Sequence, residues 1–211
     1  MTEKELVAEC VNNISSNIKI PVSIKTRIGI DNHDSYDFLR DFVDTVSIAG
    51  CETFIIHARK AMLKGLSPKE NREIPPLNYQ RVYKIKKEFP DLNIIVNGGF
   101  TELDQIKSQL KYVDGVMIGR AAYQNPFLLS KIDSLIFNES ETFVTRQNIL
   151  EKYKIYAEKQ VQEGVNIKNL TRHIIGLYQG QPGARKYRQM LSGVIPKNHN
   201  QFFEEIIKTV T

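Results

Sequence analysis

Strand and helix patterns alternate over the first 140 residues, and few folds accommodate such an order. Four apolar runs predict strands, in "VSIKTRIGID", "CETFIIHAR", "LNIIVNGG" and "VDGVMIGR". Residues at helical spacing precede the first run and follow each of the four. Strands that alternate with helices predict an α/β fold with a parallel sheet, and their apolar centres predict strands covered on both faces.

Capping residues predict where the first two helices begin. Thr2 and Glu5 have the spacing of a capping box at the first helix. At the second helix, Asp34 or Ser35 is the predicted N-cap, because either side chain accepts a hydrogen bond from the first turn. The other predicted elements of this region are helices at residues 79–89 and 101–110 and a polar loop at residues 60–77.

No strand pattern follows residue 140, and four helical segments fill the rest of the chain. They are "RQNILEKYKIYAEKQVQEG", "NLTRHIIGLYQG", "ARKYRQMLSG" and "NQFFEEIIKTV", with breaks at Gly164, at residues 180–183 and at Pro196. We therefore predict two domains. Residues 1–140 carry the sheet, and residues 141–211 form a small all-helical domain.

The basic residues concentrate in the predicted helical domain. Residues 1–141 hold 18 Lys and Arg against 19 Asp and Glu, whereas residues 142–211 hold 11 against 5. A basic domain favours an anionic polymer as its partner. A solvated basic surface explains the same charges, so composition alone leaves both alternatives open.

Composition and the start of the chain predict a cytoplasmic protein. No run of about eighteen apolar residues occurs, so we expect no membrane-spanning helix. The first ten residues lack the basic and apolar regions of a secretory signal. Cys10 and Cys51 form neither a disulfide framework nor a metal-type cluster, so we expect no metal.

Residues with binding chemistry follow each predicted strand. In a (β/α)₈ barrel the carboxyl ends of the strands form the active-site face, and the loops after the last two strands commonly bind phosphate. Glycines let backbone N–H groups approach a phosphate, and an arginine adds charge. We therefore predict a phosphorylated cofactor at this edge. The residues are Lys25 and Arg27, His57 and Arg59, Asn97, Gly98 and Gly99, and Gly119 and Arg120.

Each of these signals also has a structural explanation. "NGG" is equally typical of a tight turn, His57 of a structural histidine, and Lys25 and Arg27 of charges at a rim. Their recurrence at four successive strand ends favours a site. Four βα units cannot close an eight-stranded barrel, so the other half lies upstream, or another chain supplies it, or the sheet is open.

Longer motifs surround these strand ends. They are "VSIKTRIGID", "IIHARKAMLKGLSPKENREIPPLNYQRVY", "NGGF", "DGVMIGRAAYQNP" and "TRHIIGLYQGQPGARKYRQMLS". Together they resemble the tRNA-dihydrouridine synthase family over essentially the whole chain. "GLSPKENREIPPL" and "QGQPGAR" resemble its A subfamily, the tRNA-dihydrouridine(20/20a) synthases. One departure is Met62, where the family has tryptophan.

The resemblance implies a fold and an activity. The fold is the C-terminal half of a (β/α)₈ TIM barrel, followed by a small all-helical domain. The activity is the FMN-dependent, NADPH-linked reduction of uridine to 5,6-dihydrouridine in the D-loop of tRNA, at positions 20 and 20a. Residues 1–140 are then the FMN-binding catalytic domain, and residues 141–211 bind tRNA.

The resemblance also assigns cofactor-binding residues. Lys25 matches the lysine beside the flavin ring, where a cation stabilises negative charge on the reduced flavin. His57 matches an FMN contact, and Arg27 matches no binding role. The residues that match the phosphate cradle are Asn97, Gly98, Gly99, Gly119 and Arg120.

The tRNA contacts implied by the resemblance lie in two regions. Cations on a folded RNA mostly bind phosphates and set its orientation. In the alternative explanation they form a solvated face, or pair with neighbouring acids such as Glu70 and Glu73. The candidates are Lys69 and Arg72 in the loop, Arg185 and Arg188 three residues apart on one helix face, and, more weakly, Arg172.

Part of the family's domain is expected to precede Met1. That part holds the first four barrel strands and the cysteine that donates a proton to the uracil ring, and neither Cys10 nor Cys51 matches it. An enzyme requires this missing half in cis or in trans. The alternatives are a non-catalytic fragment that retains only tRNA binding, and an unrelated half-barrel that binds a phosphate.

Overall fold

A computed structural model describes residues 1–140, 143–193, 195–196 and 199–210, with backbone alone at residues 199 and 200. The chain divides into two compact units, Met1–Gly119 and Arg120–Thr211. Residues 120–140 therefore group with the later helices. The predicted domain boundary falls at residue 141, which lies outside the described residues, and that division stays a prediction.

The first unit has an α/β fold in which helices and strands alternate. Its four strands form one parallel sheet in the order β1-β2-β3-β4, which confirms the predicted fold class. A 3₁₀ helix, Glu70–Arg72, lies within the long loop. The elements are α1 (Lys4–Asn17), β1 (Ser23–Arg27), α2 (Tyr36–Ile48), β2 (Thr53–His57), α3 (Tyr79–Glu88), β3 (Asn93–Asn97), α4 (Leu103–Gln109) and β4 (Gly115–Met117).

The helix starts agree with the capping residues in one case and differ in the other. Ser35 caps α2, because its Oγ accepts a hydrogen bond from the Phe38 N–H at 3.1 Å. The predicted capping box of Thr2 and Glu5 is wrong. Helix α1 begins at Lys4 after Glu3, which makes no side-chain capping bond. Asp34 is not a cap either, since its carboxylate pairs with Arg81.

The two faces of the sheet have different surroundings. On one face Phe54 and Ile56 of β2 lie beside Ile94 and Val96 of β3, and all four are completely buried where α3 packs against β3. The other face contains Ile55 and is only partly buried in the described residues. The described residues therefore bury one face of β2 and β3 more completely than the other, and coverage of the strands on both faces stays a prediction.

The second unit contains only helices among its described residues. A shared core joins them through Leu150, Leu177, Tyr187 and Phe203, which are almost completely buried. Its elements are α5 (Arg120–Gln124), a 3₁₀ helix (Pro126–Lys131), α6 (Ile132–Ile136), α7 (Arg146–Gln162), α8 (Ile167–Thr171), α9 (Ala184–Ser192) and α10 (His199–Val210).

One predicted helix of the second unit is much shorter than its apolar pattern. Helix α8 ends at Thr171, and the chain continues to residue 180 as successive turns. In these turns the His173 N–H bonds to the Leu170 carbonyl at 3.0 Å, and the Leu177 N–H to that of Ile174 at 2.9 Å. These bonds join residues three apart, as in a 3₁₀ helix, and wind the chain more tightly than the four-residue spacing of an α-helix. The other three helical segments are confirmed.

Candidate functional site

Strand register places three of the predicted cofactor residues, Lys25, His57 and Asn97, on one face of the sheet. Register partners of parallel strands point to the same side, and residues two apart on one strand do as well. Two neighbouring rows, one of which includes Lys25 and the other His57, therefore share a face, which we call the Lys25 face. The rows are Lys25, Ile55, Ile95 and Gly115, and Arg27, His57, Asn97 and Met117.

The second row lies at the carboxyl ends of the strands, where side chains bond to the backbone of neighbouring strands. The Asn97 side-chain amide donates to the carbonyl of Met117 at 2.8 Å, which joins the ends of β3 and β4. The Ala58 N–H donates to the carbonyl of Asn97 at 2.9 Å, which joins the ends of β2 and β3. Asn97 therefore fixes the geometry of this edge.

The glycine pair after β3 has a backbone that other residues rarely adopt. Gly98 has φ of +130° and Gly99 has φ of +77°. A Cβ at Gly98 would lie 2.7 Å from Leu77 Cδ2 and 2.9 Å from His57 Cδ2. The Tyr79 hydroxyl donates to the Gly98 carbonyl at 2.7 Å and fixes the turn from the other side. The structure therefore places His57 directly against the predicted phosphate loop.

Gly119 differs from the glycine pair because the space beside it is open. A Cβ at this position would meet no other heavy atom within 4 Å. Packing therefore does not require a glycine at this position. Gly119 ends the first unit and Arg120 begins the second, so the joint phosphate contact of these two residues stays a prediction.

Lys25 lies on the Lys25 face with its side chain exposed. Burial of part of the side chain, and to a smaller extent the charge of Arg27, lower the pKa of Lys25 from its usual 10.5. A cleft of about 500 Å³ opens beside β1, lined by Lys25, Arg27 and Ile24 among others. An anion bound here would gain from both positive charges.

Arg27 binds the loop at residues 60–77, which we call loop 60–77. Its Nη1 donates to the carbonyls of Lys60 at 2.9 Å and Asn71 at 2.8 Å. Burial and the nearby charges of Arg59 and Arg72 lower the pKa of Arg27. Three cations therefore converge near the end of β1, and Arg27 holds the loop to the strand that carries Lys25.

Loop 60–77 is held in place by its own side chains. Asn71 bonds both backbone groups of Met62, accepting from the N–H and donating to the carbonyl at 2.7 Å each. Leu63 N–H donates to Asp31 Oδ1 at 2.8 Å, which attaches the loop to the turn after β1. The predicted RNA contacts therefore lie on a fixed loop.

Lys69 and Arg72 flank Asn71 and are exposed to solvent. Glu70 does not pair with Lys69. Its carboxylate accepts from the Ser67 N–H at 2.8 Å. Hydrogen bonding to the side chain of Ser67, and then to this N–H, lowers the pKa of Glu70. Within the described residues Lys69 takes part in no ion pair, which disfavours the explanation that it pairs with a neighbouring acid.

The predicted cations of the second unit lie on α9. Ala184, Tyr187 and Leu191 are buried on one side of this helix, which leaves Arg185 exposed and Arg188 half-buried. Arg185 has no ion-pair partner in the described part of the chain. Gly183 precedes the helix with φ of +76°, so the glycine of "QPGAR" allows the turn that positions Arg185.

Neither cysteine lies on the Lys25 face. Cys10 is exposed on α1, and Cys51 is buried before β2, where burial raises the pKa of its thiol. No group of three or more His, Cys, Asp and Glu side chains that could hold a metal ion occurs among the described residues. No helix in the described part of the chain is long and apolar enough to cross a membrane.

Sequence reasoning placed Arg59 at the predicted cofactor edge and gave no role to Asn71 or Tyr79, whereas in the structure all three hold the loop or the glycine turn. Arg59 donates to the carbonyls of Glu73 and Pro75, with Nη1 2.9 Å from the first, and so fixes the end of loop 60–77. Asn71 and Tyr79 position the loop and the glycine turn, as described above. No local pattern identifies such residues, because their partners are backbone carbonyls distant in sequence.

Comparison with known proteins agrees with the motifs. The dihydrouridine synthase family profile matches residues 1–210. The curated tRNA-dihydrouridine(20/20a) synthase of Shewanella oneidensis is 52% identical over 198 residues, which cover 94% of this chain and 59% of the relative. The synthases of Pasteurella multocida and Escherichia coli K12 are each 51% identical over 91% of this chain. The aligned residues cover 59% of the first relative and 56% of the second.

This chain belongs to the dihydrouridine synthase family. It spans at most 59% of the length of these curated relatives.

Proposed function

We propose that this chain is the flavin- and RNA-binding part of a cytoplasmic tRNA-dihydrouridine synthase. The reaction is the NADPH-linked reduction of uridine to 5,6-dihydrouridine in the tRNA D-loop, at positions 20 and 20a. The observation that carries the proposal is the Lys25 face, where β1 presents Lys25 and, one row further along the strands, β2 and β3 present His57 and Asn97 in register.

FMN fits the residues at this edge. Gly98 and Gly99 would hold the phosphate through their backbone, and the open space at Gly119 leaves room for it. Lys25 would bind the ring by charge, and His57 would contact the cofactor from beside Gly98. When bound, FMN supplies the two-electron chemistry that links NADPH oxidation to reduction of the uracil C5–C6 double bond.

The fold belongs to the proposal as well. We interpret the four-stranded sheet as the C-terminal half of a (β/α)₈ barrel whose Lys25 face lines the interior. Strands β1 and β4 form the two edges of the sheet among the described residues. A further four strands, from the part of the relatives that this chain does not span, would pair with both edges and supply the proton-donating cysteine.

The proposed tRNA contacts are Lys69 and Arg72 on loop 60–77, and Arg185 and Arg188 on α9. Charge supports this assignment, because residues 142–211 have 11 Lys and Arg against 5 Asp and Glu. In the described residues the second unit consists of helices, which supports the small helical RNA-binding domain of the proposal.

An FMN titration of the purified chain tests the cofactor site. Flavin fluorescence should be quenched on binding, and Lys25→Ala and Arg120→Ala should weaken the binding. Lys19→Ala is the matched control, because Lys19 is an exposed lysine that precedes β1. Equal affinities for Lys25→Ala and Lys19→Ala would contradict the assignment of Lys25.

A chain that binds tRNA without catalysis is the second candidate function. The partly buried Lys25 face favours it, since a sheet face without a covering layer is less well organised for a cofactor. In this case the folded chain binds unmodified tRNA in a salt-dependent manner but does not bind FMN. Formation of dihydrouridine from unmodified tRNA and NADPH, once the remaining barrel strands are supplied, separates the two candidates.

A further inference from the structure

Two aromatic side chains of the second unit lie at its surface instead of its core. Tyr123 on α5 is 54% exposed, and Tyr156 on α7 is 50% exposed. Tyr123 meets the exposed ring of His173 edge to face, with ring centroids 5.9 Å apart and planes at 88°. Tyr156 packs beside Tyr153, with centroids 5.5 Å apart. We call Tyr123, Tyr156, Arg172 and His173 the aromatic surface.

The four residues of the aromatic surface lie close together. The Tyr153 hydroxyl donates to the carbonyl of Leu170 at 2.9 Å, and the Tyr123 hydroxyl donates to that of Arg172, two residues further along the chain. Tyr123 and Tyr156, which packs beside Tyr153, are therefore attached to the same segment. The Arg172 Nε lies 3.4 Å from Nε2 of His173, so a guanidinium borders the rings. The same segment therefore offers π-faces and a positive charge.

Close backbone packing holds Tyr123 in this position. A Cβ at Gly176 would lie 2.1 Å from the carbonyl oxygen of Gln124 and 3.0 Å from that of Tyr123. Only glycine allows the end of α5 to come so near to the turns after α8. The Tyr123 hydroxyl then donates to the carbonyl of Arg172 at 3.2 Å. Because the hydroxyl already has a partner, the ring is oriented and part of its surface stays exposed.

Exposed, oriented rings beside a cation are typical of surfaces that bind unpaired nucleotides. Aromatic side chains stack on bases of any sequence, and neighbouring Lys and Arg bind the phosphates. The surrounding region is basic, with 11 Lys and Arg against 5 Asp and Glu in residues 142–211. A protein partner would explain the exposed rings but not the charge, so RNA is the favoured occupant.

We infer that the aromatic surface stacks an unpaired nucleobase of RNA on Tyr123 or Tyr156, with the adjoining phosphate on Arg172. The inference rests on the proposed function for the identity of the RNA as tRNA. It adds residues that the FMN site and the four proposed tRNA cations do not include.

The test uses fluorescence anisotropy with a labelled twelve-residue oligouridylate, which is single-stranded. Tyr123→Leu and Tyr156→Leu should each weaken binding by about five-fold or more, since stacking on one ring is lost. Tyr123→Phe keeps the ring and should bind within about two-fold of the natural chain. Ile155→Ala is the matched control, because Ile155 is 69% exposed and adjoins Tyr156 but has no ring.

Salt dependence separates stacking from charge. Arg172→Ala should reduce the slope of log affinity against log salt by about one, whereas Tyr123→Leu should leave the slope unchanged. Far-ultraviolet circular dichroism and thermal melting show whether each variant is folded. If Tyr123→Leu does not fold, Tyr156→Leu and the Tyr123→Phe comparison still decide the result.

Three results would overturn the inference. They are no oligouridylate binding by the natural chain, equal binding by the leucine variants, and equal weakening by Ile155→Ala. Heparin, an anionic polymer without bases, should bind the natural chain and Tyr123→Leu equally, and a loss of heparin binding in that variant would also contradict stacking. The FMN titration tests the proposed function separately, because its predicted ligands outside Arg120 lie in the first unit.

Discussion

The two units of this chain organise their polar groups in different ways. In the first unit, long cationic side chains on the strand ends bind backbone carbonyls of loop 60–77, as Arg27 and Arg59 do. In the second unit, core tyrosines donate to backbone carbonyls, as Tyr187 does to Ile174 at 2.9 Å. The first arrangement fixes loop 60–77 against the strand ends, and the second completes a core.

This difference teaches where substitutions should act. The second unit depends on buried aromatic volume, so a change in its core should lower stability without touching a ligand. The first unit depends on directed hydrogen bonds in partly exposed places. A change there should alter the site more than the stability of the fold.

The largest expected effect is on the core of the second unit. Tyr187→Ala should lower the free energy of unfolding by about 3–5 kcal/mol, because a completely buried ring and its hydroxyl bond are lost. Urea denaturation followed by circular dichroism measures it. The control Tyr156→Ala removes a half-exposed ring and should cost less than about 1 kcal/mol. Similar losses for both variants would contradict the view that burial dominates this unit.

A smaller loss of stability, with a complete loss of function, is expected at the glycine turn. Gly98→Ala should cost about 2–3 kcal/mol and abolish FMN binding, since its Cβ would collide with Leu77 and His57. Gly50→Ala is matched in backbone, with φ of +100°, but its Cβ would meet nothing within 4 Å. Gly50→Ala should lower the free energy of unfolding by about 1 kcal/mol and leave FMN affinity unchanged. Equal behaviour of the two variants would show that backbone strain alone matters at Gly98.

A third prediction concerns the link between β1 and loop 60–77. Arg27→Ala should cost about 2 kcal/mol, because two charged hydrogen bonds to carbonyls are lost in a partly buried place. Limited proteolysis should then cleave within loop 60–77, and affinity for tRNA should fall. Arg40→Ala removes a half-buried arginine that pairs with Asp37 and Asp41 on α2 and should lower stability far less than Arg27→Ala. An uncleaved loop in Arg27→Ala would argue against this anchoring role.

The smallest effect is the pH dependence that comes from Lys25. Burial lowers its pKa in the folded chain below 10.5, so the unfolded chain binds more protons between that lowered pKa and 10.5. Stability should therefore rise with pH through this window and fall as pH drops through the pKa of the folded state. Lys25→Met should remove this rise of the unfolding free energy with pH, as measured by denaturation midpoints from pH 7 to 11. The control Lys19→Met should show the same rise as the unchanged chain.

Much of the fold was predictable because it follows from local patterns. The alternation of apolar runs and helical stripes predicted the parallel sheet, and Ser35 marked a real helix boundary. The patterns failed where distant contacts decide. The apolar stripe after Asn169 predicted a long helix, but close packing at Gly176 accompanies a chain of turns.

The candidate site was predictable only in part. The strand ends identified Lys25, His57 and the glycine pair, and strand register then brought Lys25 and His57 to one face. Their binding roles stay predictions. The anchoring of loop 60–77 by Arg27 could not be foreseen, since it depends on carbonyls 33 and 44 residues away.

The amino-acid sequence by itself determined which segments become strands and helices, and which cations and glycines end the strands. These features depend on side-chain periodicity and backbone preference within a few residues. The tertiary structure alone decided that one face of the sheet stays partly open, that Arg27 binds loop 60–77, and that Tyr123 stands at the surface beside His173. Each of these depends on groups distant in the chain, which only the packing of the folded backbone brings within hydrogen-bonding or van der Waals distance.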